Sequence, residues 1–186
     1  MKKLIAATVM IVMCSINVNS QVFRIGLKAG PNFSNFSGGV SGLNYSSRTS
    51  VHAGVATLIG IGSRFAVAPE LLYSSEGAKV EGIGDFNLEY VSLPILAKIY
   101  IMPDKFSIDL GPQFSYLIKD SDEVLNEVTT ESEIESFDFA VAGGVTLNVT
   151  KNIFAQARYT LGITEASKEA EVKNTVIQFS IGYMFF

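Results

Sequence analysis

Eight side chains set the chemical possibilities of this chain. Arg24, Lys28, Lys98 and Arg158 are cations, Glu70, Asp109 and Asp138 are carboxylates, and His52 is the single histidine. All eight fall on the polar side of segments whose other side is apolar. Confined together they should pair, because an unpaired charge held away from water is costly. The plain reading is a salt-bridged plug. The sharper readings are an ion or proton path, or a catalytic cluster. His52 could serve as a general base, and a serine with His52 and Asp109 or Asp138 would supply nucleophile, base and orienting carboxylate. Any chain this rich in serine offers as much. A metal site needs several His, Cys or carboxylate ligands at workable spacing, and one histidine does not meet that. No Gly-rich loop leads into a helix, so no phosphate cradle is indicated. No catalytic residue, metal or cofactor is expected, and the chain is read as non-enzymatic.

The segments that must hold these residues alternate with period two. Over 23–33, Phe23, Ile25, Leu27, Ala29, Pro31 and Phe33 oppose Arg24, Gly26, Lys28, Gly30 and Asn32. The pattern returns over 50–59, 65–75, 88–101, 106–118, 137–149, 153–163 and 175–185. A strand with different surroundings on its two faces reads this way. Eight of them predict an all-β fold, an eight-stranded antiparallel up-and-down transmembrane β-barrel. Such a barrel is just wide enough for side chains to fill it, so the charged faces point inward and the apolar faces meet lipid. The connections 60–64, 102–105 and 150–152 are short, whereas 34–49, 76–87, 119–136 and 164–174 are long. That order predicts short periplasmic turns and long extracellular loops.

Three further features bear on this barrel. Pro31, Pro69, Pro94 and Pro112 lack a ladder donor, which assigns them to bulges or strand ends. Gly30-Pro31-Asn32-Phe33-Ser34 and Gly111-Pro112-Gln113-Phe114-Ser115 nearly repeat four strands apart, which fits two related halves or one recurring geometry. Aromatic residues near the strand ends, among them Tyr73, Tyr90, Tyr100, Tyr116, Tyr159 and Tyr183, suggest interfacial girdles.

Residues 1–20 are a separate unit, with Lys2 and Lys3, an apolar run over 4–13, and Val18-Asn19-Ser20 before Gln21. This is the form of a cleaved secretory signal, and the run is too short to span as a helix. Cys14 follows Met13 rather than the small residue that lipoprotein processing wants, so it leaves with the leader. The remaining 21–186 form one domain with 12 basic and 18 acidic residues, which excludes nucleic acid as a partner. Without cysteine, its stability must come from a source such as barrel closure, which removes free strand edges. Mean hydropathy is positive, yet no run after the leader reaches the length of a membrane helix. A transmembrane barrel behaves so, since only every second residue meets lipid. The acidic segment 119–136 carries Asp120, Asp122, Glu123, Glu127, Glu131, Glu133 and Glu135 without the EF-hand spacing. It reads as a solvated outer loop, or as a contact with divalent cations at a lipopolysaccharide surface or with a basic partner.

Pro69-Glu70-Leu71-Leu72-Tyr73-Ser74, Tyr90-Val91-Ser92-Leu93-Pro94-Ile95-Leu96-Ala97-Lys98, Gly111-Pro112-Gln113-Phe114-Ser115-Tyr116-Leu117 and Ala157-Arg158-Tyr159-Thr160-Leu161-Gly162 resemble the PorT-like outer-membrane β-barrel family of Bacteroidota. Gly26-Leu27-Lys28-Ala29-Gly30-Pro31-Asn32-Phe33-Ser34 is similar too, and the likeness spans 21–186. It implies an eight-stranded barrel in the cell outer membrane. It also implies possible contact with secretion-system proteins, since the name-giving member is implicated in type IX secretion. The strand ending Phe179, Ile181, Tyr183 and Phe185 resembles the signal read by the barrel-assembly machinery. The expected partners are therefore outer-membrane lipid and lipopolysaccharide, that machinery during insertion, and secretion-system proteins. Three readings compete: a structural or secretion-accessory barrel, an outer-membrane enzyme acting on lipid or peptide, and a soluble lipocalin-like barrel. A lipocalin would place its apolar face inside.

Overall fold

The computed structural model describes residues 23–37, 45–80, 84–120, 137–164 and 173–185. The expected leader over 1–20, residues 121–136 of the acidic segment and Phe186 lie outside the described residues. Eight strands follow one another: β1 (Phe23–Ser37), β2 (Tyr45–Ile61), β3 (Phe65–Val80), β4 (Gly84–Met102), β5 (Phe106–Asp120), β6 (Phe137–Asn148), β7 (Ile153–Gly162) and β8 (Lys173–Met184). Each pairs antiparallel with its sequence neighbours, and β8 returns to β1 through pairs such as Leu27↔Tyr183, closing the barrel. Closure leaves no free edge, which a sheet without disulfides needs.

The alternation sorts side chains as the period-two pattern requires. Leu110 is 60% and Ile181 70% exposed on the outer face, while Lys28, His52, Glu70 and Asp109 are buried inside. This is the reverse of a lipocalin. The lumen is not polar throughout, however. It also holds an apolar cluster of Ala56, Leu58, Ala66, Ala68, Leu96, Ala142, Phe154 and Met184, with Tyr100 packed against it; of these, Leu58, Ala66, Phe154 and Met184 stand within a few residues of the short-turn strand ends. Tyr90 is also buried, so Tyr90 and Tyr100 do not belong to the outer girdle expected of them. Both share the inward parity of Ser92 and Lys98, and parity outweighs position along the strand.

Several strands outrun their sequence bounds. β3 and β4 continue through most of the expected loop 76–87, with Lys79↔Asp85 and Val80↔Gly84 still paired. β1 and β2 likewise reach Ser37 and Tyr45. Beyond the apolar band the hydropathy alternation stops, but backbone pairing does not depend on it. The expected short turns are present at the other end. In one, Gly62 takes φ 74°, and in another Asp104 takes φ 58° while Lys105 N–H donates to Met102 O at 3.0 Å.

The prolines do not sit at bulges. The register shifts lie elsewhere, between Ser47 and His52, Glu89 and Tyr90, and Tyr100 and Met102. Each of the four falls in a gap of one ladder and stays paired in the other, with the register unchanged across the gap. Pro31 pairs with Val51 on β2, but β1–β8 pairing skips from Ala29↔Ile181 to Asn32↔Gln178. Pro112 pairs with Val141 on β6, but β4–β5 pairing skips from Pro94↔Gln113 to Ala97↔Leu110. Pro94, paired with Gln113, leaves its gap toward β3 between Pro69↔Ile95 and Leu72↔Ser92. A missing N–H removes bonds on one side only.

The Gly-Pro echo now has a geometry. Where each proline opens its ladder, the preceding glycine lies against the neighbouring strand's carbonyl: Gly30 against Phe179 O and Gly111 against Ile95 O. A Cβ would collide with either oxygen. Close Cα–H···O approach takes up the space a ladder bond would fill. The two sites lie four strands apart, and each faces the preceding strand around the barrel.

Candidate functional site: an ion-paired lumen

The inward faces of six strands meet in one hydrogen-bonded network at mid-lumen. Glu70 of β3 is its hub. Arg158 Nη2 of β7 donates to Glu70 Oε1 at 2.8 Å and Oε2 at 2.7 Å, and Lys28 Nζ of β1 donates to Oε2 at 2.9 Å. Gln156 of β7 links two halves. Its Oε1 accepts from Lys28 Nζ at 2.6 Å and Arg158 Nη2 at 2.9 Å, and its Nε2 donates to Asp109 Oδ2 of β5 at 2.9 Å. Lys98 Nζ of β4 reaches Asp109 Oδ2 at 2.6 Å and Thr146 Oγ1 of β6 at 2.8 Å, while Ser107 Oγ donates to Asp109 Oδ1 at 2.7 Å. The ion-paired groups are all buried. Three cations face two carboxylates there, so each carboxylate carries more than one donor.

A second set ties in the two remaining strands. His52 Nδ1 of β2 lies 2.6 Å from Asn32 Oδ1 of β1, and Nε2 lies 2.8 Å from Ser180 Oγ of β8. Asn32 Nδ2 donates to Ser74 Oγ of β3 at 3.0 Å and Ser75 O at 2.9 Å. With the Asn32 amide nitrogen so occupied, its oxygen accepts the Nδ1 proton, and Nε2 accepts from Ser180. Every strand is thus cross-braced through the lumen. Among the described residues no group of three metal-ligating side chains occurs.

A model of the "Outer membrane protein beta-barrel domain" family matches residues 19–168. The chain belongs to this family. As an outer-membrane barrel it has relatives in shape among solved structures. Its fold is similar to Ail of Yersinia pestis, at 16% identity and TM-score 0.55, covering 88% of this chain and 99% of that one. It is similar to OprG of Pseudomonas aeruginosa, at 11% identity and TM-score 0.56, covering 89% and 95%. Neisserial surface protein A is a third, at 15% identity and TM-score 0.53, covering 89% and 99%. These likenesses show a shared fold. No curated protein matches the chain.

Within this outer-membrane barrel, the eight side chains singled out in the sequence divide into groups. Lys28, Glu70, Lys98, Asp109 and Arg158 share the central network. His52 stands in the separate Asn32–Ser180 chain. Arg24 lies at the short-turn end, where its guanidinium donates to Lys151 O. Asp138 lies toward the opposite end, where its Oδ1 accepts from Thr164 Oγ1 at 2.6 Å. The suggested pairing of His52 with Asp109 or Asp138 is therefore corrected. Asp109 is held by Lys98, Thr146, Ser107 and Gln156, and the group at the histidine's Nδ1 is Asn32. Sequence reasoning overlooked Gln156, Thr146, Asn32 and Ser180 as network members, although all four have inward parity. A search restricted to ionisable residues passes over the neutral amides and hydroxyls that join them.

Proposed function

We propose that this chain is a non-catalytic integral barrel of the outer membrane with a closed lumen, structural or accessory to protein secretion. Its short turns and both described chain ends face the periplasm. The observation that carries this reading is the unbroken tie from Lys28 through Glu70, Arg158, Gln156 and Asp109 to Lys98. A solute crossing the lumen would have to separate buried ion pairs, and breaking one by removing a partner typically costs about 3–5 kcal/mol. The PorT-like segments are consistent with this role, because they contribute Lys28, Glu70, Lys98 and Arg158 to the tie. Planar-bilayer recording tests the closure: a steady large conductance refutes it. Co-purification from native membranes under mild detergent tests the accessory role. Recovery of secretion-system proteins supports it, and a barrel recovered alone leaves the structural role.

One observation favours an enzyme. Ser180, His52 and Asn32 stand in the hydrogen-bond order of a hydrolase triad, with the imidazole in the tautomer a base requires. Access argues against it, since all three are buried, Ser180 at 4% exposure. They read as a brace.

A further inference from the structure

We infer that the short-turn mouth of the barrel is a binding cup for an apolar group ending in a carboxylate. The mouth encloses about 790 Å³, within the size range of small-ligand sites. Leu58 and Ala66 of the apolar cluster, with Tyr100 packed on it, form the floor. Beyond that floor the space lined by Glu70, Lys98 and Gln156 shrinks to about 20 Å³, so a ligand of this size is accommodated in the cup alone.

The rim has the opposite character. Arg24, Lys105 and Lys151 stand around it against one carboxylate, Asp104. The chain as a whole carries a net charge of −4, so this cationic ring is a local exception. The turns that carry it are held in place. Arg24 is bonded to Lys151 O, Asn148 Nδ2 donates to Asp104 O at 3.0 Å, and Asn148 N–H donates to Lys105 O at 2.7 Å. Two of the three short turns are thus tied to neighbouring strands, so only the lysine side chains remain to be ordered on binding. A bare inorganic anion would gain nothing from the floor, and a neutral apolar molecule nothing from the rim. A group with both features gains from each.

Two sources share this chemistry: a small free aryl or alkyl carboxylic acid, and the last residue of a polypeptide with an apolar side chain. The cup belongs to the barrel itself and stands whichever way the barrel is inserted.

The test uses the full barrel in lipid nanodiscs, titrated with 3-phenylpropionate, N-acetyl-Leu-Phe as the free acid, and the same dipeptide as its amide. Both acids should bind saturably, with the amide weaker by about tenfold. The K105Q/K151Q double variant should weaken acid binding by about fivefold, leave the amide unchanged, and lose most of the salt dependence. Ala66→Phe should abolish binding by filling the floor. Tighter binding of phenylpropionate identifies a small solute, and tighter binding of the dipeptide acid identifies a chain terminus. Equal affinity for acid and amide, an unchanged K105Q/K151Q, or no saturable binding below about 10 mM overturns the proposal. If Ala66→Phe does not fold, the lysine variant decides alone, because both lysines lie exposed in turns.

Discussion

Glu70 and Arg158 hold opposite walls of the barrel together. They are 88 residues apart in sequence and four strands apart around the ring, yet one guanidinium nitrogen reaches both carboxylate oxygens across the lumen. A charge-assisted contact of this span fixes the barrel's cross-section as no ladder bond can, since ladders act only between neighbours.

The first prediction follows from that contact. Glu70→Gln leaves Lys28 and Arg158 together without their shared anion, so it should destabilise the barrel by about 3–5 kcal/mol. Lys28→Met should cost less, because Glu70 keeps Arg158. Denaturant unfolding in lipid vesicles gives the order, and a Lys28→Met barrel less stable than Glu70→Gln contradicts the hub assignment.

Outer-face polarity gives a second prediction. Leu110 is 60% exposed and faces away from the lumen. Leu110→Arg should cost about 2–4 kcal/mol relative to Leu110→Ala in a bilayer, if the site lies near mid-membrane. On a face bathed by water the two variants would unfold together, so coincident curves in vesicles count against a lipid-facing wall.

Glycine contacts supply a third. A Cβ on Gly111 would strike Ile95 O, whereas one on Gly143 meets only Leu110 Cδ1 at 3.6 Å. Gly111→Ala should therefore lower stability by roughly 1–3 kcal/mol. Gly143→Ala should be neutral or better by up to about 1 kcal/mol. Paired unfolding midpoints check this, and equal effects would mean the Gly-Pro geometry is not constrained by close approach.

A fourth prediction concerns Ser180. If its chain to His52 and Asn32 is a brace, a fluorophosphonate probe should leave the folded barrel unlabelled. Intact-mass spectrometry reads the outcome. An adduct at Ser180 that vanishes in His52→Ala would revive the hydrolase reading.

The fold was legible because its main force is periodic. Phe106 to Tyr116 spell out alternate faces residue by residue, and a half-lipid, half-lumen wall allows no other phase. Strand ends such as Glu76–Val80 were not legible, because outside the apolar band neither face imposes a pattern. The lumen was half legible. Charges at Lys28, Glu70, Lys98, Asp109 and Arg158 had nowhere to go but inward, and met there. Arg24 and Asp138 share that orientation but lie too far along the axis to join, and height depends on strand stagger, which no single segment encodes. Pro94 was opaque for a related reason: which neighbour loses a bond to it depends on partners distant in sequence.

Phe185 N–H donates to Ile25 O, so the start of β1 and the end of β8 meet beside each other at the short-turn rim. In space the wall is therefore a ring without a natural starting point. Joining those ends with a short linker and cutting within one of the opposite connections would reorder the strands along the polypeptide while keeping every neighbour. The order of synthesis is thus one of several routes around the same circle, and the architecture itself does not single it out.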